Sequence, residues 1–177
     1  MPEDIDVEQL LQQMTAELKQ QLVERKIDNP LLIGIRSGGV WLAERVRLLL
    51  DSKAKDPDPI GILDISFYRD DFTRIGLNPK VKPSALPVMT EGRHIILIDD
   101  VLMSGRTVRA ALNELFDYGR PASVLLMTLL DLQARELPIR ADIVGRSLRL
   151  AADQQIKLSG PEPLRLKVQN RDAQPVS

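Results

Sequence analysis

The chain of 177 residues contains no cysteine and a single histidine, His94. The first absence removes disulfides, thiolate metal ligands and thiol nucleophiles together, and one imidazole cannot build a zinc cluster. Any metal must then be a hard, oxygen-bound cation such as Mg²⁺. Aromatic residues make up only 3% of the chain, which disfavours a surface that stacks bases along a nucleic-acid strand. The net charge of −1 gives no global pull toward nucleic acid, leaving only a local basic patch for that purpose. No apolar run approaches the roughly 18 residues of a membrane span, and the opening "MPEDIDVEQL" is acidic where a secretory signal is basic and then apolar. These features read as a cytoplasmic protein. A length of 177 residues with 44% apolar composition suits one domain around one substantial core.

What the chain does have is an alternation of helix and strand patterns. Leu10, Leu11, Met14, Leu18 and Leu22 fall three or four apart, one stripe of an amphipathic helix that ends near Arg25, with Asp4 or Asp6 as its cap. "LLIGI" has strand length and is followed by "RSGG" and a helix that aligns Leu42, Val46, Leu49 and Leu50. "DPDP" is a turn, residues 60–67 read as a strand, and the charged, Gly- and Pro-containing stretch of about 68–88 reads as a long functional loop or hairpin. A strand over 95–98 leads into a helix with Val108, Ala111, Leu112, Leu115 and Phe116 on one face and Gly119 at its end. "VLLMTLLD" reads as a strand covered on both sides, and a last strand is expected over 164–168. Trp41 reads as a packing residue and His94 as a surface residue without a partner. The pattern implies an α/β fold with a mostly parallel central sheet, in which ligands bind at the carboxyl ends of strands.

Two strand-to-helix junctions could cradle phosphate, Arg36, Ser37, Gly38 and Gly39 ("RSGG") and Ser104, Gly105, Arg106 and Thr107 ("SGRT"). Neither has the spacing of a P-loop or of a dinucleotide-binding motif. Between them stand Asp99 and Asp100, at the end of the strand in "IILIDDVLMSGRTVRA". Two carboxylates would repel a bare polyphosphate, but they can accept hydrogen bonds from a ribose diol while the next loop holds a 5′-phosphate. The combination points to a phosphoribosyl ligand.

That stretch, Asp99, Asp100, Val101, Leu102, Met103, Ser104, Gly105, Arg106 and Thr107 included, resembles the phosphoribosyl diphosphate (PRPP) motif of type I phosphoribosyltransferases. "DISFYRDD", "GRPASVLLMTLLD" and "RELPIRADIVG" are similar to segments of the PyrR family, regulators of pyrimidine biosynthesis genes that in many members are also uracil phosphoribosyltransferases. The resemblance implies the type I phosphoribosyltransferase fold, a single unit with a small hood from about 132–177 and part of the N-terminus, and a flexible loop. It implies binding of PRPP and UMP with Mg²⁺, and conversion of uracil and PRPP to UMP and pyrophosphate.

In that scheme Asp99 and Asp100 take the ribose hydroxyls and reach the metal through ribose or water. Residues 104–107 hold the 5′-phosphate, and Arg36, Ser37, Gly38 and Gly39 hold pyrophosphate, so Asp99, Asp100 and Arg36 are the catalytic set. Tyr68 and Arg69 open the closing loop, and Ile143, Val144 and Arg146 bind the base. Leader mRNA is the implied regulatory partner, with Arg135, Arg140 and Arg146 as contacts, and a homodimer or tetramer the implied assembly. The chain departs from the family pattern at Met103, where Tyr is common, and at "DLQAR", where "DRGHR" is usual. It also has Ala16, Glu17 and Gln20 at helix positions where RNA-binding relatives carry Thr, Arg and His. Those departures define the alternative reading: a non-catalytic nucleotide sensor on the same scaffold, acting through RNA, DNA or a protein. A transferase for a different base is the third.

Overall fold

A computed structural model describes residues 1–50, 58–65 and 85–171. After a 3-10 turn at Pro2–Asp4, the helices are α1 (Val7–Glu24), α2 (Gly38–Leu49) and α3 (Arg106–Asp117). The strands are β1 (Leu31–Ile35), β2 (Gly61–Leu63), β3 (His94–Leu102), β4 (Ser123–Asp131), β5 (Ile143–Ser147), β6 (Gln154–Ser159) and β7 (Arg165–Asn170). The first five pair in parallel in the order β2-β1-β3-β4-β5, and β6 and β7 form a separate antiparallel hairpin. The helix-flanked, largely parallel sheet expected from the sequence is the observed architecture.

Alternation along the strands decides which helix covers which face. Leu32, Ile96, Ile98, Met127 and Leu129 share one buried cluster with Leu11, Met14 and Leu18 of α1 and Leu42 and Val46 of α2. Leu31, Ile33, Ile95, Leu97 and Leu126 face the other way, onto Val108, Ala111 and Leu115 of α3. "LLIGI" and "VLLMTLLD" are apolar throughout because both of their faces are covered. Asp6 caps α1 by accepting from Gln9 N at 3.1 Å, and Ile27 N closes the other end on Leu22 O at 2.9 Å, with Lys26 at φ 56° between.

Several expectations change. Of the strand expected over 60–67 only Gly61–Leu63 forms among the described residues, and Tyr68, Arg69 and most of the loop to 88 lie outside them. Its end is described: Ala85 bridges Ile62 through two hydrogen bonds of 2.8 Å. β5 falls within the stretch assigned to the hood but is an edge strand of the main sheet, in register with β4 from Met127↔Ile143. Beyond it the β6–β7 hairpin packs Ile156, Leu158, Leu164 and Leu166 on the α1–α2 side, and Glu3 joins it by accepting from Val168 N at 3.1 Å. Arg45 of α2 ties the hairpin down, donating to Glu162 at 2.6 Å, Pro161 O at 3.1 Å and Glu8 of α1 at 3.0 Å. Trp41 packs against the core as expected. Phe116 is 56% exposed, because one residue beyond Leu115 is a 100° turn away from the buried stripe. His94 is neither free nor fully exposed, since Nδ1 lies 2.7 Å from Ser123 Oγ on the neighbouring strand.

The turn from β1 into α2 crosses β3 without a side chain between them. A carbon added at Gly39 would run into Ile98 O and lie 3.2 Å from Asp99 Cα. Gly39→Ala should therefore push this loop off the strand, destabilising the fold by ~2–3 kcal/mol and lowering the melting temperature by roughly 5–10 °C. Thermal unfolding checks it, and an unchanged midpoint would show that the loop shifts freely.

Candidate active site

β1 and β3 pair in parallel from Leu31↔Ile95 to Gly34↔Ile98, so their carboxyl ends lie side by side and the loops that follow them meet at one edge of the sheet. Asp99 and Asp100 fall between those loops. Neighbouring strand residues point to opposite faces, so the two carboxylates cannot share one. Asp100 turns toward α2 and sits where a side chain on Gly38 would be. Asp99, only 5% exposed, stands on the α3 side in the wall of a cavity of about 720 Å³. A volume of that size is ordinary for a small-molecule site.

The floor of the cavity is the start of α3. Gly105 takes φ 93° as its N-cap, a conformation that an L side chain strains to reach, and Ile139 Cβ lies 3.3 Å from where a Cβ would be. Ser104 Oγ accepts from Arg106 N at 3.2 Å. The first N–H groups of a helix lack intrahelical acceptors and sit at its positive end, which suits an anion. Across β3, Arg36 N donates to Leu63 O at 2.9 Å, the Arg36–Ser37 peptide is cis, and the Arg36 guanidinium is 3.5 Å from Asp64.

The remaining wall comes from residues after β4 and β5. Gln133 accepts from Arg149 Nε at 3.3 Å, and Arg171 Nη2 lies 3.7 Å from Met103 Sδ, which is itself 41% exposed. Arg149 and Arg171 both line the cavity, and neither pairs with a carboxylate among the described residues. Arg106 and Arg135 nearby are paired, with Glu136 at 2.8 Å and Asp131 at 2.7 Å. The cavity thus offers one buried carboxylate, a helix N-terminus and two cations, a set matched to a sugar hydroxyl and more than one anionic group.

The phosphoribosyl transferase domain family matches residues 4–162. The Bifunctional protein PyrR of Pseudomonas savastanoi pv. phaseolicola is 59% identical over 165 residues, 93% of this chain and 95% of the relative. That of Pseudomonas fluorescens strain Pf-5 is 60% identical over 161 residues, 91% and 94% of the two chains. The chain belongs to the PyrR family of phosphoribosyltransferases. The fold agrees: a hypoxanthine phosphoribosyltransferase of Staphylococcus aureus superposes with a TM-score of 0.59 at 24% identity, covering 80% of this chain and 74% of that one. One of Trypanosoma cruzi superposes with a TM-score of 0.62 at 21% identity, over 82% and 75%.

Within this PyrR-family chain the structure gathers Asp99, Val101, Leu102, Met103, Ser104, Gly105 and Thr107 around one cavity. Of Arg36, Ser37, Gly38 and Gly39, Gly38 abuts Asp100 and Gly39 abuts Ile98 O, which sets that loop against β3 beside the cavity, while Arg106 points to Glu136. Ile143, Val144 and Arg146, expected at the base, do not line the cavity. Ile143 is fully buried in the α1–α2 cluster, Val144 packs on the opposite face, and Arg146 is exposed at the sheet edge. β5 is spanned by the sheet at those positions, so the wall is built only after it ends, at Arg149 to Gln155. Arg171 was not legible as a site residue. The signal was the alternation in "QIKLS" and "RLKVQN" about a Pro-rich turn, which marks a hairpin that returns residue 171 to the level of Asp153, where Arg171 N donates at 2.7 Å.

Next to the cavity-lining Leu132 and Gln133, the Asp131 carboxyl is pulled in two directions. Burial pushes it up, but the Arg135 guanidinium and the Gln133 N–H outweigh that and hold it below the usual carboxylate range. A lowered folded value contributes stability that is present above the ordinary carboxylate range and is lost as pH falls through the folded value. Asp131→Asn should therefore be less stable than the unmodified chain near neutral pH, with the gap closing below about pH 4. Thermal unfolding from neutral to acid pH tests the sign, and a gap that widened on acidification would contradict it.

Proposed function

We propose that this cavity binds PRPP and UMP, that the chain converts uracil and PRPP to UMP and pyrophosphate, and that it does so as a regulator of pyrimidine biosynthesis genes. The observation that carries the reading is the placement of Asp99 in one cavity with the 104–107 cradle, one strand away from the 36–39 loop. In the transfer the bond from ribose C1 to a pyrophosphate oxygen breaks and one from C1 to uracil N1 forms, with the N1 proton passing to water or to the departing anion. Asp99 accepts from a ribose hydroxyl and fixes the ring, while the 104–107 N–H groups hold the 5′-phosphate. Arg36 and the N–H groups of 37–39 stabilise the leaving pyrophosphate as its charge develops. Met103 carries no exchangeable proton, so this chain assigns that position no acid or base.

Mg²⁺ suits the donors present, which are carboxylate oxygens. Among the described residues no group of three or more His, Cys, Asp or Glu forms a cage; in the proposed scheme the ion arrives on a diphosphate and meets Asp99 and Asp100 through ribose or water. When bound it neutralises charge on the leaving group.

Leader RNA is the proposed regulatory partner. Arg140 and Arg146 are exposed and free to approach phosphate, whereas Arg135 is engaged with Asp131 and Met103, and α1 presents Ala16, Glu17 and Gln20. Exposed Val23, Leu48 and Phe116 leave apolar surface for the homodimer or tetramer proposed here.

Asp99→Asn with Asp100→Asn should abolish thermal stabilisation by PRPP or UMP and eliminate UMP formation from labelled uracil, while the unliganded midpoint stays within a few degrees. Ligand stabilisation that survived would refute the ribose assignment. No turnover by the unmodified chain, with stabilisation retained, would make it a sensor. In RNA titrations, alanine at Arg140 and Arg146 should reduce the salt slope by about one unit each, and binding insensitive to salt would exclude phosphate contacts.

A further inference from the structure

The carbonyls of Met103 and Ser104, at the entry of the phosphate loop, are both taken by the segment that follows β4. Arg135 Nη1 donates to Met103 O at 2.8 Å, and Glu136 N and Leu137 N donate to Ser104 O at 2.9 and 3.0 Å. Arg135 is fixed in turn. Its Nη2 donates to Asp131 Oδ2 at 2.7 Å, Asp131 Oδ1 accepts from Gln133 N at 2.8 Å, and Leu132 N donates to Leu102 O at 2.9 Å. The two side chains are 24% and 13% exposed, so the fork is partly shielded from water. The backbone bonds to Ser104 survive any side-chain change, whereas among the described residues it is the guanidinium that joins Met103 to β4.

A planar guanidinium with divergent donors suits two acceptors held apart, which a single ammonium cannot satisfy together. The loop it grips, Ser104 and Gly105, lies between the end of β3 and the start of α3, outside both regular elements. Asp131 is the last residue of β4 and Arg135 follows it, so the pair sits at the carboxyl edge of the sheet and not between its faces and the helices. Removing the fork therefore loosens the loop before it loosens the fold.

Resting on the reading of 104–107 as a 5′-phosphate cradle, we propose that Arg135, set in place by Asp131, is a positioning residue that holds this loop in its ligand-binding conformation. The arginine acts from beneath the loop, through the Met103 carbonyl.

The test titrates PRPP with Mg²⁺, UMP and inorganic pyrophosphate into the unmodified chain, Arg135→Ala, Arg135→Lys and Asp131→Asn. Arg25→Ala, which breaks a different ion pair at 3.5 Å with Asp142, is the control. Arg135→Ala should weaken PRPP and UMP by at least ~10-fold. Arg135→Lys and Asp131→Asn, which each keep part of the bridge, should fall between it and the unmodified chain. Pyrophosphate, held by the 36–39 loop, and the control should be unaffected. Equal weakening of all three ligands would mean a general structural role and overturn the proposal, as would unaltered PRPP and UMP affinity in a folded Arg135→Ala chain. Should Arg135→Ala fail to fold, the Lys and Asn variants decide by the same comparison. An unmodified chain that binds pyrophosphate but neither PRPP nor UMP would remove the cradle reading itself, and the brace with it.

Discussion

The backbone of the 36–39 loop lies directly on the backbone of β3, and the arrangement of the site follows from that contact. Gly39 leaves room for Ile98 O and Gly38 leaves room for the Asp100 carboxylate. A side chain at either position would force the first glycine loop away from the strand that carries the aspartates. Parallel pairing of β1 with β3 supplies the direction, since it delivers both strand ends, and hence both helix N-termini, to the same edge.

The adjacency of two aspartates gains its meaning from the pleat. One carboxylate faces α2 and the loop proposed for pyrophosphate, and the other faces α3 and the loop proposed for the 5′-phosphate. A spacing of two residues would place both on a single face and leave one loop without an acceptor. The charges around them are sorted in a similar way. Arg36, Arg106 and Arg135 are matched with Asp64, Glu136 and Asp131, while Arg149 and Arg171 face the cavity without a carboxylate among the described residues. Arg106 and Arg135 thereby hold loops in place, Arg36 stands at the loop proposed for pyrophosphate, and the unmatched pair leave positive potential where an anionic ligand enters.

Legibility in the sequence tracked the range of the interactions involved. α1, α2 and α3 were readable because a buried stripe recurs every three or four residues, and "LLIGI" and "VLLMTLLD" because strands covered on both faces are apolar throughout. The glycine loops and the aspartate pair were readable because each is a short contiguous motif. β5 is hard to read because "IVGRS" is brief and half exposed at the sheet edge, and Phe116 passes for a buried residue because an apolar side chain beside a buried stripe looks like part of it. His94 found Ser123 only through the register of β3 with β4.

Sequence by itself determined the architecture, the two glycine turns at strand-to-helix junctions, the exclusion of thiol and zinc chemistry and the resemblance to a family, because these depend on local pattern and composition. Tertiary structure alone decided that Asp99 and Asp100 divide between two faces, that Arg149 and Arg171, which flank the β6–β7 hairpin in sequence, complete the cavity wall, and that Arg135 turns inward to hold Met103. Each of those depends on residues brought together from distant parts of the chain, and on which side of a strand a residue emerges. Local pattern does not encode the distance between a guanidinium and a carbonyl thirty-two positions earlier in the chain.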